Sequence, residues 1–249
     1  KLEQFMSLYD EENWVFTVNE AEGKTQRKLE FKPTDISPYA EQMLFKNGKY
    51  VLMMSATIIN NQGFCKMLGI DENNSTYMTI ASPFPTENHP IFTYPVAKMS
   101  ASTIDTDLPK LVEAIKAILE QHKKEKGIIH THSYKTMEYI KKHIRNKRLI
   151  FHGSKDRVEK LEQHMKSKEP TVIVSPSMQE GVDLKDDLSR FQIVCKVPYP
   201  YLGDKIVKKR MNRWSWWYSF ETAKTIVQSL GRSIRTETDH ATSYILDAD

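Results

Sequence analysis

The chain has 249 residues, of which 27% are charged and 10% aromatic, and its formal net charge is +4. This length allows a sizeable hydrophobic core, and the mild positive charge permits a nucleic-acid partner without requiring one. No apolar run reaches the roughly 18 residues of a membrane-spanning helix, which excludes a membrane protein. We expect an intracellular, cytoplasmic chain, nucleoid-associated if bacterial, with Cys65 and Cys195 as reduced core thiols. Because the first residue is Lys, we also expect a fragment of a longer protein.

The N-terminal part of the chain predicts a β-hairpin and then a buried strand. Trp14–Val18 and Lys28–Phe31 alternate like paired strands. The turn between them contains Gly23-Lys24-Thr25, but the second glycine that a P-loop requires is absent. The apolar run Tyr50–Met54 has the length of a buried strand and ends in Ser55-Ala56-Thr57-Ile58.

The remainder of the chain alternates between short apolar runs and amphipathic helical patterns. Ser133 and Asp156 stand where they could cap two of the helices. This alternation predicts an α/β fold with a mainly parallel sheet and helices on both faces. The predicted strands are Thr76–Ala81, Gly127–His130, Leu149–Phe151, Thr171–Val174, Phe191–Cys195 and Ala241–Leu246.

Two groups of polar residues follow predicted strands, where open α/β sheets bind ligands. After Thr171–Val174 comes Glu180-Gly181-Val182-Asp183, in which glycine allows close approach and Asp183 could accept from a ribose hydroxyl. His130 and His132 follow another strand and, with Asp183, could form a metal site. A metal-dependent hydrolase is therefore an alternative hypothesis.

The segment Lys205–Trp217 combines five cations with three tryptophans. Such a mixture can follow a phosphate backbone and stack on bases. The tryptophans could equally belong to the core, with the cations on a solvated helix face. The sequence leaves both interpretations open.

The segment from Thr222 onward predicts a helix with one apolar stripe. On the opposite side, Gln228, Arg232 and Arg235 fall within about 60° of one another, as expected for a grip on phosphate oxygens. Gly231 leaves room between them for a ligand or a second domain. A solvated face that happens to carry two arginines is the alternative. The stripe consists of Ala223, Ile226, Val227, Leu230 and Ile234.

Taken together and in order, these motifs resemble the second motor half of an XPD/DinG-type helicase of superfamily 2. The resemblance runs from about Trp14 to the end of the chain, and Thr131 or His132 departs from the family's F-T-S-Y pattern. The matching segments are Ser55–Ile58 (S-A-T-L), Ser82-Pro83-Phe84 (S-P-F), His132-Ser133-Tyr134 (F-T-S-Y), Glu180–Asp183 (E-G-x-D), Val197–Pro200 (V-P-Y-P) and Gln228–Arg235 (Q-x-x-G-R-x-x-R), with Asp239 and Asp247 also at family positions.

The resemblance implies a RecA-like fold of the P-loop NTPase type and a nucleotide site shared with a first motor domain. ATP with Mg²⁺ would be held mainly by that first domain. Arg232 and Arg235 would reach its phosphates as arginine fingers, and Gln228 would sense the γ-phosphate. The residues expected close to the nucleotide are Gly181, Asp183 and Gly231.

The resemblance also implies a path for single-stranded DNA. Ser55, Ala56 and Thr57 would couple the ATP state to domain closure. The residues expected to contact DNA are Ser133, Tyr134, Glu180, Lys205, Lys208 and Arg210.

The first motor domain is not contained in these 249 residues, because neither G-x-x-x-x-G-K-[ST] nor D-E-x-H occurs. An iron–sulfur cluster, if the parent protein has one, would lie in that other part. Residues 61–249 would form the RecA-like C-terminal domain. Residues 1–60 would complete the first domain's sheet or pack with this one. We expect the chain alone neither to hydrolyse ATP nor to unwind DNA. A non-catalytic nucleic-acid-binding module is the second alternative.

Overall fold

The computed structural model describes residues 2–19, 27–178, 182–231, 233–234 and 236–249. They fall into two compact units, Lys1–Thr79 with Tyr199–Lys224, and Ile80–Pro198 with Thr225–Asp249. The chain thus enters the second unit, returns to the first and re-enters the second. We describe each unit by itself.

The first unit consists of a β-hairpin and several helices. Strands β1 and β2 pair antiparallel, with Phe16 opposite Phe31, so the predicted hairpin is confirmed. Its predicted turn lies outside the described residues. Helix α3 (Asn61–Leu68) is followed by Gly69 as its C-cap. The φ of Gly69 is 66°, the left-handed conformation that glycine adopts most easily. The elements are α1 (Leu2–Leu8), β1 (Trp14–Asn19), β2 (Lys28–Pro33), α2 (Ser37–Met43), α3 (Asn61–Leu68), α7 (Lys205–Arg213) and most of α8 (Trp217–Leu230).

Two predicted strands do not form among the described residues. Tyr50–Met54 and Thr76–Ala81 are neither helix nor strand and belong to neither sheet. Tyr50, Leu52 and Ile80 are 87%, 82% and 80% exposed. Their apolar character predicted burial, but the described part of the chain offers no neighbouring strand to cover them.

The second unit is built on a six-stranded sheet in the order β3-β8-β7-β4-β6-β5, in which every pairing is parallel. The predicted parallel α/β sheet is therefore confirmed. Its edge strand β3 was not predicted, and β8 lies inside the sheet between β3 and β7. The elements are β3 (Ile91–Ala97), α4 (Ile104–Gln121), β4 (Gly127–His130), α5 (Tyr134–His143), β5 (Leu149–Phe151), α6 (Arg157–Lys166), β6 (Val172–Ser175), β7 (Phe191–Val194) and β8 (Thr242–Asp247).

Alternation along the strands gives this sheet two buried faces. Ile129 and Ile193 belong to the larger cluster, which contains the apolar stripes of α4 and α5. Ile128 and Ile173, one residue out of phase, pack in a second cluster beside Leu161 of α6. Helices therefore pack on both faces of the sheet, as predicted.

Helix ends show one confirmed and two wrong predictions. Ser133 caps α5, since its hydroxyl accepts from the Thr136 N–H at 3.1 Å. Asp156 precedes α6 but makes no cap bond and instead accepts from the Gly153 N–H at 2.6 Å. Helix α8 ends at Leu230, so the predicted helix does not continue to Ile234. Its predicted apolar stripe is also interrupted, because Val227 is 46% exposed.

Cys65 and Cys195 are both free and buried, and burial raises the pKa of the Cys195 thiol far above its usual value. Within the described ranges, no helix is long and apolar enough to span a bilayer.

Candidate functional site

The loop after β4 places Ser133 and Tyr134 at the carboxyl end of the sheet. His132 has a positive φ of 52°, which turns the chain sharply between the strand and α5. Ser133 faces the first turn of α5, and Tyr134 is 48% exposed. The N–H groups of a helix N-terminus are suited to a phosphate, and an exposed aromatic ring is suited to stack on a base.

His130, His132 and the nearby His152 are not grouped as metal ligands within the described part of the chain. His152 Nε2 lies 2.8 Å from Ser175 Oγ and its Nδ1 lies 2.7 Å from the Gly153 carbonyl oxygen, so both ring nitrogens are already engaged. Burial, with a smaller effect of Lys196, lowers the pKa of His132 to about 4. Among the residues that the structure describes, no three His, Cys, Asp or Glu side chains are grouped as metal ligands. The hydrolase alternative has no ligand set there.

Val182 to Arg190, which we call the strap, leads from the E-G-x-D motif to β7. Val182 and Leu184 are buried against Ile128 and Ile173, and Asp183 between them is exposed. This alternation directs Asp183 away from the core. Glu180 and Gly181, the other predicted residues of this motif, lie outside the described residues.

The Q-x-x-G-R-x-x-R motif, Gln228–Arg235, begins on the last turn of α8. Gln228 is half-buried there, and the carbonyl of Leu230, the last helical residue, accepts from Gln192 Nε2 at 2.7 Å. A Cβ added to Gly231 would make only an ordinary contact, 3.4 Å from the Val227 carbonyl oxygen. The predicted fingers Arg232 and Arg235 lie outside the described residues, so their geometry stays a prediction.

The predicted coupling segment is a compact turn in the first unit. Ser55 Oγ accepts from the Thr57 N–H at 3.1 Å, and Ser55 and Ala56 are exposed. Ile59, just beyond, has a φ of 67°, which is unfavourable for a β-branched residue. Strained backbone of this kind is often found at functional segments.

The basic residues of α7 have different surroundings. Lys205 and Lys208 line an open groove of about 530 Å³ together with Trp14 and Phe16. The Arg210 guanidinium instead donates from Nε to the Thr34 carbonyl at 2.8 Å. Burial lowers the pKa of Arg210, whose guanidinium lies 5.7 Å from the centre of the Trp217 ring.

Burial divides this basic and aromatic segment into a core part and an open part. Trp217 is buried and belongs to the core, and Arg210 is engaged with the backbone of the hairpin. Lys205 and Lys208 remain beside aromatic rings in an open groove, an arrangement that suits a single strand of nucleic acid.

Sequence reasoning missed several buried polar residues that organise the motifs. Asp247 accepts from the Met99 N–H at 3.0 Å and from the Val197 N–H at 2.7 Å, so it anchors the start of Val197–Pro200. Gln192 holds the end of α8. For Asp247, the only sequence signal of a role was its position in the family pattern. For Gln192 there was none, because a glutamine inside an apolar strand does not by itself indicate a partner.

A RecA-like sheet with helicase-type motifs at its loops defines the class. The model of the helicase C-terminal domain matches residues 115–248. The chain belongs to this family.

Two curated relatives agree with the XPD/DinG-type resemblance. The chain is 26% identical over 242 residues to "ATP-dependent DNA helicase DinG" of Photobacterium profundum, covering 88% of this chain and 34% of the relative. It is 27% identical over 195 residues to "ATP-dependent DNA helicase YoaA" of Haemophilus influenzae, covering 74% and 30%. The chain thus spans about a third of the length of these relatives.

Solved structures confirm the fold. A structure named "XPD_APO" has a TM-score of 0.70 at 20% identity, covering 89% of this chain and 48% of its own. Another, "XPD_Helicase", has a TM-score of 0.66 at 19% identity, covering 89% and 43%. The predicted RecA-like α/β class is confirmed.

Proposed function

We propose that this chain is the second motor half of an ATP-dependent DNA helicase. The observation that carries the proposal is the helicase C-terminal domain match over residues 115–248, which includes Gln228, Arg232 and Arg235. Relatives covering most of the chain are named ATP-dependent DNA helicases.

On the nucleotide side, this chain supplies arginines and another part of the protein supplies the phosphate cradle. The 249 residues contain no G-x-x-x-x-G-K-[ST] sequence, so the β- and γ-phosphates and Mg²⁺ are held mainly elsewhere. Arg232 and Arg235 neutralise charge on the phosphates as fingers, which is worth roughly 10³–10⁵ in rate where it has been measured in GTPases. Gln228 senses the γ-phosphate, and Gly181, Asp183 and Gly231 lie close to the nucleotide.

On the DNA side, the groove beside α7 and the start of α5 contact a single strand. Lys205 and Lys208 offer charge beside Trp14 and Phe16, and the exposed ring of Tyr134 follows the cap residue Ser133. Glu180 and Arg210 remain predicted DNA-contacting residues, although the Arg210 guanidinium is already bonded to the hairpin backbone.

Residues 1–60 complete the other motor domain. They include an apolar segment, Tyr50–Met54, that is exposed although its sequence is typical of a buried strand. We assign this segment to the sheet of the first motor domain, where Ser55, Ala56 and Thr57 couple the ATP state to domain closure. Residues 61–249 contain the C-terminal motor domain.

The test is ATP hydrolysis by the full-length parent protein with and without single-stranded DNA, comparing Arg235→Ala with the exposed control Arg145→Ala. We expect DNA-stimulated kcat to fall about 100-fold or more in Arg235→Ala, on the scale of a lost finger, and to be unchanged in Arg145→Ala. The present chain by itself should show neither hydrolysis nor unwinding.

Two results would contradict the proposal. Hydrolysis that is absent from the parent protein, or indifferent to Arg235, would favour a non-catalytic nucleic-acid-binding module. Robust hydrolysis by the isolated chain would show that its phosphate cradle had been missed.

A further inference from the structure

A buried carboxylate joins the backbone that follows the Q-x-x-G-R-x-x-R motif to the backbone that follows the E-G-x-D motif. Asp239 is 2% exposed. Its Oδ2 accepts from the N–H of Thr236, the residue directly after Arg235, at 3.2 Å. Its Oδ1 accepts from the Asp186 N–H of the strap at 3.1 Å. One side chain therefore holds the backbone next to a proposed arginine finger and the backbone that follows the E-G-x-D motif.

Two further side-chain bonds connect the same segments. Ser233, between the two arginines in sequence, donates from Oγ to Ser189 Oγ of the strap at 2.8 Å, and both residues are fully buried. Just beyond the strap, Gln192 donates to the carbonyl of Leu230, one residue before Gly231. The chain around the arginines is thus bonded to residues 186–192 at two points within the motif, and through Asp239 at one point directly after it.

The strap itself is fixed against the sheet. Val182 and Leu184 are 3% and 0% exposed and pack with Ile128 and Ile173 of β4 and β6. At its other end Arg190 donates to the His240 carbonyl at 3.1 Å and lies 3.6 Å from Asp239. A segment anchored in the core at both ends provides a rigid reference for whatever is bonded to it.

We propose that Asp239 is a positioning residue that sets the place of Arg235 by fixing Thr236 to the strap, and that Ser233 assists it. This inference rests on the proposed function, since it requires an arginine finger. A carboxylate that accepts two N–H bonds in a buried site holds both donors in a narrow geometry, and such charge-assisted bonds are stronger than neutral ones. Catalysis is sensitive to displacements of this kind, because a misplacement of about 1 Å can cost roughly 100-fold in rate.

Replacing Asp239 by asparagine tests the proposal with little change in shape. An amide has only one oxygen, so it cannot accept from Thr236 and Asp186 as the carboxylate does. In the full-length parent protein we expect Asp239→Asn to lower DNA-stimulated kcat by about 10- to 100-fold, with the KM for ATP changed by less than about threefold. That separation of kcat from KM is expected when an interaction is lost in the transition state alone.

Asp187→Asn is the matched control. Asp187 accepts from the same Arg190 at 2.8 Å, but its side chain is 94% exposed. Like Asp239→Asn, this control removes one negative charge from beside Arg190. It should leave kcat unchanged. Equal losses in both variants would overturn the proposal, because they would assign the effect to Arg190.

The decisive measurement repeats Asp239→Asn in an Arg235→Ala background. If Asp239 acts through Arg235, the second change adds less than about threefold to the loss, since residues acting as a unit are not additive. A full multiplicative loss would show a general structural role and overturn the inference alone. An Arg235→Ala variant with normal activity would overturn the proposed function as well, so the two failures are distinguishable.

Ser233→Ala keeps the inference testable if Asp239→Asn does not fold. It removes one buried hydroxyl and leaves the carboxylate in place. We expect a smaller loss of kcat in the same direction, about three- to tenfold, again absent in the Arg235→Ala background. Wild-type kcat in Ser233→Ala would contradict the assisting role of this residue.

Discussion

Strands β4 and β6 and the segment Tyr50–Met54 are all short apolar runs, yet their surroundings are opposite. Every residue of β4 and β6 is buried, and Ile128 and Ile173 have no exposed surface. Tyr50, Leu52 and Met54 are 87%, 82% and 83% exposed. The same sequence signal has therefore produced a central strand in one region and an uncovered segment in the other.

The difference shows that an apolar run predicts that a segment will be buried and does not say by what. Each central strand of the sheet has two neighbours within the chain and helices on both faces. Among the described residues, Tyr50–Met54 has no neighbouring strand. An exposed apolar segment of strand length is prone to pair with another chain or domain, which fits the proposal that Tyr50–Met54 completes the sheet of a first motor domain.

The largest expected contrast compares one substitution in β6 with the same substitution in Thr76–Ala81, the other uncovered apolar segment. Ile173→Ala, in β6, should lower the free energy of unfolding of this chain by about 2–5 kcal/mol because it leaves a cavity in a packed core. Ile80→Ala, at a position 80% exposed, should change it by less than about 0.5 kcal/mol. Urea unfolding followed by circular dichroism measures both. Comparable losses would mean that Ile80 is covered in solution.

Hydrogen exchange should then show whether the uncovered segment finds a partner. In the full-length parent protein we expect the amides of Tyr50–Met54 to exchange at least about 100-fold more slowly than in this chain alone, because ladder bonds protect them. The amides of β6 serve as the reference and should be protected in both. Fast exchange of Tyr50–Met54 in the parent protein would contradict its assignment to a sheet.

A smaller expected effect is a pH dependence of the free energy of unfolding, caused by His164 in the buried region. Burial lowers the pKa of His164 to about 4, although its bond to the Leu188 carbonyl opposes the shift. Since the folded pKa lies below the unfolded value of about 6.5, the neutral ring stabilises the fold above that value, and this contribution is lost as the pH falls toward 4. For His164 we expect a loss of about 2 kcal/mol between pH 7 and pH 5.

The measurement is the free energy of unfolding across that pH range in the wild type and in His164→Gln. The variant should be less sensitive to pH by about the same 2 kcal/mol, whatever its stability at neutral pH. Parallel pH profiles for the two proteins would show that His164 is not buried in its neutral form.

The sequence predicted the sheet and much of the site for identifiable reasons. The strands of the sheet interior are continuous apolar runs, and Ser133 precedes its helix with the spacing of a cap, so local chemistry was sufficient. Strand β3 was missed because Pro95 interrupts its apolar pattern. It is an edge strand in which Phe92 and Tyr94 are exposed, so it also lacks the buried run of the interior strands. Asp156 directly precedes its helix, as Ser133 does, but its carboxylate accepts from the Gly153 N–H and does not cap the helix. This difference depends on the conformation of the folded loop.

Local sequence by itself determined the parallel α/β class, the order of the motifs and their place in a helicase C-terminal domain, because periodicity and short motifs depend on neighbours in the chain. Only the tertiary structure decided what surrounds those motifs. Asp239 is distant in sequence from Asp186, and Gln192 from Leu230, yet hydrogen bonds join both pairs. Such bonds follow from how strands and loops are stacked in space, and the same stacking decides which apolar runs find a partner.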